Sequence, residues 1–222
     1  MTSSKDKDIV KSNYNKIAQK YTEWVSTSPS LRLKYLDLVL SNLPPNSRIL
    51  ELGTGAGTPV LNTLVQIPTI EKIYANDISS SQLQLAQKSI QDERVEWSEG
   101  DMLQLNFEEG CLDAILAFYS IFHLPREEQK VMLAKCHVWL KPGGKLVMNF
   151  GTTDEEEIRS ADFFGEEMFW SSYGVAGNLK MLEGAGFEVL KHEVKGSADG
   201  NLKPGDVDYG IEFLWVFAEK KK

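Results

Sequence analysis

The chain has little of several residue types that mark specialised classes of protein. Its 222 residues include two cysteines and three histidines, and no apolar run approaches the roughly 18 residues of a membrane helix. Cys111 and Cys136 match no metal or redox spacing and lie in apolar stretches, so we expect reduced thiols in a core. The N-terminus is polar and lacks an apolar signal region. These absences predict a cytoplasmic protein without a membrane partner.

Basic residues are also in short supply. The chain has 24 Lys and Arg against 32 Asp and Glu, a formal net charge of -8 at pH 7. A protein that binds nucleic acid needs Lys and Arg to replace the counterions of the phosphates, and an acidic surface opposes this. The basic run at the C-terminus, Lys220 to Lys222, is explained by a solvated tail. We therefore expect neither DNA nor bulk RNA as a partner.

Short apolar runs alternate with amphipathic stretches along most of the chain. Seven segments have the pattern of strands: residues 48–52, 72–77, 95–98, 112–119, 145–150, 187–194 and 209–218. Helical patterns separate most of them, and such alternation predicts a parallel sheet with right-handed crossovers. The loop between the last two strands has no convincing helical pattern, so the last strand should be antiparallel to its neighbour. The sequence therefore predicts an α/β fold, a Rossmann-like three-layer sandwich with a seven-stranded, mostly parallel sheet.

A single domain accounts for residues 1–222, with two additions to the alternating pattern. Residues 1–45 contain two amphipathic helices, at about 9–25 and 31–40, ahead of the first strand. Residues 152–175 are an insertion rich in acids and aromatics, between the fifth strand and its helix. We expect both additions to cover the ligand-binding edge of the sheet.

Two parts of the insertion have alternative interpretations. The acidic run at residues 154–157 favours a solvated loop or the start of a helix. Residues 163–173 combine aromatics, a methionine and acids, which suits the wall of an apolar pocket with a few polar groups. The same residues could instead form a surface helix that packs on the first two helices.

The strongest local signal is a glycine loop directly after the first strand, residues 51–57 (ELGTGAG). Its G-x-G-x-G spacing differs from the G-x-G-x-x-G of dinucleotide-binding loops, which favours an adenosyl amino acid over a pyrophosphate. Asp77 ends the second strand, where a carboxylate can accept both hydroxyls of a ribose. Asp101 follows the third strand. Because ligands of such folds bind outside the carboxyl ends of the strands, these three sites should converge.

Five segments together resemble the small-molecule branch of class I S-adenosylmethionine-dependent methyltransferases. They are residues 51–57, 76–79 (NDIS), 99–102 (EGDM), 112–115 (LDAI) and 140–144 (LKPGG). The resemblance covers about residues 10 to 219, nearly the whole chain. The combination is specific to the superfamily and says little about the methyl acceptor.

The resemblance implies where S-adenosylmethionine would lie. In that family the glycine loop holds the methionine part, the acid ending the second strand holds the ribose, and the acid after the third strand receives the adenine amino group. Tyrosines of an N-terminal helix often close over the cofactor, and Tyr14 and Tyr21 resemble them, although plain helix packing explains them equally well. The implied cofactor-binding set is Tyr14, Tyr21, Glu51, Gly53, Thr54, Gly55, Asp77, Ile78, Asp101, Met102 and Phe118.

The resemblance also implies a reaction, methyl transfer to an amine, thiol, hydroxyl or carbon nucleophile with S-adenosylhomocysteine as product. The sulfonium methyl is already activated, so the protein mainly aligns the reacting atoms and excludes water. The segment ending the fourth strand lines the reaction site in this family, which makes Tyr119 and His123 the catalytic candidates. His123 could instead merely fix the turn before Pro125.

The acceptor site and the need for a metal are harder to predict. In the insertion, Trp170, Phe169 and Tyr173 are the expected substrate-binding residues, with Trp170 the best single candidate. Residues 118–120 (FYS) end the fourth strand without the oxygen ligands that Mg²⁺ requires, so we expect no metal. A nicotinamide-dependent oxidoreductase and a non-catalytic cofactor-binding protein remain as alternatives.

Overall fold

A computed structural model describes residues 2–27, 31–196 and 208–221. The helices are α1 (Thr2–Thr27), α2 (Leu31–Leu40), α3 (Val60–Leu64), α4 (Ser80–Ser89), α5 (Arg126–Trp139) and α6 (Gly174–Gly184). The strands are β1 (Ser47–Leu52), β2 (Ile70–Asp77), β3 (Val95–Glu99), β4 (Leu112–Ala117), β5 (Leu140–Gly151), β6 (Asp154–Phe163), β7 (Glu166–Tyr173), β8 (Phe187–Gly196) and β9 (Glu212–Lys220). Most of the predicted loop at 195–208, and the terminal Lys222, lie outside the described residues.

The predicted sheet is confirmed. Seven strands pair in the order β3-β2-β1-β4-β5-β9-β8, in which β1 to β5 are parallel and β9 is antiparallel to both of its neighbours. The strand order changes direction between β1 and β4, so the loops that follow these strands separate and leave a crevice. That crevice is where a ligand of an open α/β sheet is expected to bind.

The central strand β4 is covered on both faces of the sheet, and apart from Asp113 its residues are apolar. Every residue of β4 is buried, and successive side chains point to opposite faces. Ala114 and Leu116 belong to one buried cluster with side chains of α2 and α3, whereas Ile115 belongs to another with side chains of α5 and α6. The result is the three-layer arrangement expected for a buried parallel sheet.

The insertion is a β-hairpin, which corrects two predictions. The acidic run at 154–157 is the first half of β6, neither a loop nor a helix start, and residues 166–173 are a strand and not a surface helix. Strand β6 pairs antiparallel with β7, and the connection passes through Phe164 and Gly165, both with positive φ. The acids of β6 stay exposed because its partner strand supplies the buried residues.

Helix α1 is longer than predicted and lies over the hairpin. A two-stranded hairpin is marginally stable alone, and here Val10 and Ile17 of α1 bury Met168 and Phe169 of β7. An ion pair from Lys16 to Glu166 (2.7 Å) adds to the contact. None of the helices in the described ranges has the length and apolar character needed to cross a membrane. The packing fixes α1 above the carboxyl ends of the strands.

Candidate active site

Two cavities adjoin at the carboxyl edge of the sheet. The inner cavity lies between α1 and the loops after β1, β2, β3 and β4, and the outer cavity lies between the β6–β7 hairpin and residues 208–213. The outer cavity encloses about 580 Å³. Four side chains line both cavities: Tyr14, Tyr21, Tyr119 and His123. We call these four residues the junction.

The glycine loop forms one wall of the inner cavity in a conformation that favours glycine. Gly53 and Gly55 have φ values of +74° and +57°, in the left-handed region. A Cβ at Gly53 would overlap Ser120, so this glycine is required by packing against the turn after β4. A Cβ at Gly55 would meet only Gln82, at 3.8 Å. Packing within the protein therefore explains the glycine at position 53, whereas close approach of a ligand can explain the glycine at position 55.

Asp77 ties this loop to the start of α4. Its Oδ2 accepts a hydrogen bond from the backbone N–H of Gly55 (2.7 Å), and its Oδ1 accepts one from Ser79 (2.8 Å). Burial raises the pKa of Asp77 to about 6 because the carboxylate loses its hydration, although these N–H groups partly oppose the rise. Each carboxylate oxygen can accept two hydrogen bonds, so Asp77 retains acceptor capacity for a ligand.

A second buried acid, Glu51, lines the same cavity. The hydroxyl of Thr54 donates a hydrogen bond to its Oε2 (2.8 Å), and burial raises the pKa of Glu51 to about 8. Two buried carboxyl groups, with Arg32 and Lys7 as the basic side chains of the described lining, make the inner cavity strongly polar at its base. Such a site suits a ligand that presents several hydrogen-bond donors.

At the end of the inner cavity next to β3, the acid expected to bind the adenine already has protein partners. Asp101 and Met102 line it, but Oδ2 of Asp101 forms an ion pair with Lys7 (2.6 Å), and Oδ1 accepts a hydrogen bond from the backbone of Leu103 (3.0 Å). Lys7 also pairs with Glu128 (2.8 Å). A ligand group that binds Asp101 must therefore share this carboxylate with α1.

Two residues of the inner cavity were missed in the sequence. Gln82 is on the first turn of α4, whose N-cap is Ser79, and Ser120 follows β4. Within the described part of the chain, the buried Nε2 of Gln82 and Oγ of Ser120 have no hydrogen-bond partner. Unpaired buried polar atoms are costly, so their position in a cavity wall indicates a polar ligand.

At the junction, His123 has a defined tautomer. Its Nδ1 lies 2.8 Å from the carbonyl oxygen of Phe169, which can only accept, so Nδ1 carries the hydrogen and donates. Burial lowers the pKa of His123 to about 4, so the ring is neutral and Nε2 is an acceptor. The hydroxyl of Tyr14 donates to that Nε2 (3.1 Å).

Tyr119 reaches the junction through a strained backbone. Its φ is +53°, and its N–H donates to the Oδ1 of buried Asn149 (2.7 Å). The guanidinium of Arg32 lies over its ring, 4.2 Å from the centroid. Burial raises the pKa of the Tyr119 phenol, and the phenols of Tyr14 and Tyr21 are raised for the same reason. All three junction phenols therefore stay protonated at neutral pH.

The outer cavity contains one of the three predicted substrate-binding side chains. Trp170 lines it, 5.9 Å from His123 between ring centroids. Phe169 does not line this cavity, because neighbouring residues of a strand face opposite ways. Its ring packs beside Val10, and only its carbonyl reaches the junction. Tyr173 also lies outside both cavities, and its hydroxyl donates a hydrogen bond to Glu127 (2.8 Å).

Sequence comparison identifies related proteins. A family model described as a methyltransferase domain matches residues 49–144. The chain is 28% identical over 124 residues to phosphoethanolamine N-methyltransferase of Plasmodium falciparum, which covers 54% of this chain and 45% of that protein. It is 25% identical over 177 residues to (+)-O-methylkolavelool synthase of Herpetosiphon aurantiacus, which covers 73% and 59%. The chain thus spans less than two thirds of the length of these relatives.

Solved structures share the fold at low identity. A 1,6-didemethyltoxoflavin-N1-methyltransferase of Burkholderia thailandensis, with bound S-adenosylhomocysteine, has a TM-score of 0.72 at 17% identity and covers 99% of this chain and 91% of its own. Magnesium protoporphyrin IX methyltransferase of Synechocystis has a TM-score of 0.68 at 15% identity, covering 97% and 100%. The family match spans the glycine loop and both acidic strand ends, so this part of the chain is similar to a methyltransferase domain, and the fold is shared with solved methyltransferase structures.

Proposed function

We propose that this protein transfers a methyl group from S-adenosylmethionine to a small-molecule nucleophile by direct displacement, without a metal. The observation that carries the proposal is the junction, where a polar inner cavity and a ring-lined outer cavity share Tyr14, Tyr21, Tyr119 and His123. A group held in the inner cavity can reach an acceptor in the outer one only past these side chains. Transfer between two bound molecules requires such a meeting point.

The residues that line the inner cavity offer contacts that suit S-adenosylmethionine. Asp77 retains acceptor capacity for ribose hydroxyls, and Gln82 Nε2 and Ser120 Oγ, which have no partner in the described part of the chain, offer further polar contacts. Gly55 leaves room beside the loop for the amino-acid part, near Glu51 and Thr54. Phe118 and the following residues would face the transferred group. The remaining predicted contacts, beside the adenine, are Ile78, Asp101 and Met102.

When bound, S-adenosylmethionine supplies a methyl group already activated on a sulfonium. The residues of this chain then have three tasks, which are to align the acceptor, exclude water and receive any proton that is released. α1 and the hairpin together cover the junction and exclude water. Trp170 walls the outer cavity on the acceptor side. Tyr119 and His123 stand where the reacting atoms would meet.

Support for a reaction without a metal comes from the ligands available. No group of three or more His, Cys, Asp or Glu is arranged to hold a metal ion among the described residues. The nearest acid on β4, Asp113, accepts a hydrogen bond from the Arg48 N–H and pairs with Lys141 (2.7 Å) at the opposite edge of the sheet. An amine or thiol is already nucleophilic and needs no metal to react, and a hydroxyl would rely on His123 for activation.

Two measurements test the proposed function. Calorimetry should show that S-adenosylmethionine and S-adenosylhomocysteine bind while NADH does not. A panel of amines, thiols, hydroxyl compounds and carbon acids should include at least one acceptor that releases S-adenosylhomocysteine. Binding of NADH in place of S-adenosylhomocysteine would overturn the proposal in favour of an oxidoreductase. Cofactor binding with no turnover across the panel would favour a non-catalytic role.

A further inference from the structure

We propose that the outer cavity takes a ring-bearing, non-anionic acceptor whose reacting O–H or N–H donates its hydrogen bond to Nε2 of His123, and that His123 receives this proton. The inference rests on the proposed function and names its substrate class. Three observations lead to it: the rings of the outer cavity, the fixed tautomer of His123, and the charges at the cavity mouth.

The outer cavity is lined mainly by aromatic rings. Beyond the junction, these include Trp24, Phe122, Phe163, Phe164, Trp170 and Phe213. Its volume of about 580 Å³ falls within the roughly 300–1,000 Å³ of sites that bind drug-sized molecules. Flat rings pack against aromatic faces and edges, whereas a short acyclic molecule would leave most of this apolar surface without contacts.

His123 can accept a hydrogen bond from the molecule to be methylated, but it has no hydrogen left to donate to it. Its Nδ1 hydrogen is committed to the Phe169 carbonyl (2.8 Å), and its Nε2 faces Tyr14 (3.1 Å) at the junction. The groups that face the ring are uncharged: the Tyr14 phenol from α1, the Trp170 ring and Phe169 carbonyl from β7, and the neighbouring Phe122 ring. A reacting O–H or N–H can therefore bind Nε2 by taking the place of the Tyr14 hydroxyl.

The proton and charge balance is closed within the site. The nucleophilic atom forms a bond to the methyl carbon, the bond from that carbon to sulfur breaks, and its electron pair stays on sulfur. The proton of the nucleophile moves to Nε2 of His123. One positive charge is lost at the sulfonium and one is gained at the imidazolium, so the net charge of the site does not change. Burial lowers the pKa of His123 to about 4, so the proton passes to water when the product leaves.

Charges at the mouth of the outer cavity disfavour anionic acceptors. Asp162, Asp208 and Glu212 line it, and among the described lining residues there is no Lys or Arg. A carboxylate entering this cavity would lose hydration beside these acids, whereas the Arg32 guanidinium, which lies over the Tyr119 ring, belongs to the lining of the inner cavity. A neutral acceptor does not meet this penalty, nor does an amine that enters as a cation and first gives one proton to water, which frees the lone pair that attacks the methyl carbon.

The test compares His123→Asn with the wild type. The Asn amide nitrogen can replace Nδ1 as donor to the Phe169 carbonyl, while the variant has no counterpart of Nε2. His192→Asn is the matched control, because His192 is exposed on β8 and lies away from both cavities. The probes are 2-naphthol, 2-naphthylmethylamine, 2-naphthoic acid and ethanolamine. Calorimetry measures the binding of each probe to the S-adenosylhomocysteine complex, and turnover is the release of S-adenosylhomocysteine.

We expect 2-naphthol or 2-naphthylmethylamine to bind and react, and 2-naphthoic acid and ethanolamine to bind about tenfold more weakly or worse. His123→Asn should lower kcat about 10²- to 10⁴-fold with S-adenosylhomocysteine affinity unchanged, and His192→Asn should change neither.

Preference for 2-naphthoic acid or ethanolamine overturns the inference, as does failure of all four probes to bind. Full kcat in His123→Asn also overturns it. In each of these cases the proposed function stands if S-adenosylhomocysteine still binds and some acceptor of the wider panel is methylated, so the two failures can be told apart.

Discussion

Replacing Asp77 with alanine is the most direct test of the inner cavity. In the proposed function, the Asp77 carboxylate accepts hydrogen bonds from the ribose hydroxyls of the cofactor. It does so in addition to the hydrogen bonds that it accepts from the N–H groups of Gly55 and Ser79. Loss of a bidentate, charge-assisted contact costs about 2–3 kcal/mol, so affinity for S-adenosylhomocysteine should fall about 30- to 150-fold. Calorimetry at neutral pH measures this change.

The ligand-free protein should melt at nearly the same temperature, because two effects of the substitution oppose each other. Two backbone N–H groups lose their acceptor, at a cost of about 1–3 kcal/mol each where they stay buried. The substitution also removes a carboxylate whose ionised form is destabilised by burial. The rise in the pKa of Asp77 from 3.8 to about 6 means that, above pH 6, ionised Asp77 destabilises the folded state by about 3 kcal/mol. That cost vanishes as the pH falls below the unfolded value.

The pH dependence of binding gives a second signature. Below about pH 6 the Asp77 carboxyl of the free protein is protonated, and it must release this proton to accept two hydroxyl donors. Affinity should therefore fall as the pH decreases through 6, approaching about tenfold per pH unit. Glu51→Gln is the matched control, because burial raises the pKa of Glu51 to about 8 and it titrates in a separate window.

The assay is calorimetry of S-adenosylhomocysteine from mildly acidic to neutral pH, with thermal melting of the three ligand-free proteins. Asp77→Ala should lose the dependence near pH 6, and Glu51→Gln should keep it. Wild-type affinity in Asp77→Ala, or a pH dependence near 6 that survives the substitution, refutes the ribose assignment. A large fall in melting temperature would instead show that the cost of leaving two N–H groups without an acceptor outweighs the gain from removing the buried charge.

The remaining predictions concern the loop, the hairpin and the metal. Gly55→Ala should cost about 1–2 kcal/mol of stability, because its φ is +57°, and weaken S-adenosylhomocysteine binding about tenfold or more by calorimetry. Normal binding by the folded variant would contradict the loop's role. Trp170→Ala should raise the acceptor KM at constant cofactor affinity, whereas Phe169→Leu, outside the cavities, should leave the KM unchanged. A collapse of stability in Trp170→Ala would favour simple packing. Turnover should survive EDTA, and activity that is lost on chelation and restored by Mg²⁺ would overturn the reaction without a metal.

The sheet and its acidic edge were predictable because their signals are local. A strand buried on both faces is largely apolar, as β4 is apart from Asp113, and parallel strands bring Asp77 and Asp101 to one edge. Strand β6 has no such signal. Its first four residues are exposed acids or polar neighbours, and its pairing with β7 becomes favourable only once α1 covers the hairpin. Local patterns cannot report a contact between elements so far apart in the chain.

The register of that hairpin decides the chemistry of the junction. Phe169 and Trp170 are adjacent aromatics, and nothing in their order tells which one faces the outer cavity. Pairing with Arg159 and Ile158 turns Trp170 toward it and aims the Phe169 carbonyl at His123. A backbone oxygen thus sets the tautomer of the candidate base, and any side chain at position 169 supplies the same oxygen. A one-residue slip of β7 would exchange the two faces and remove the carbonyl from Nδ1. The chemistry of His123 therefore depends on strand register, which no residue at the site encodes.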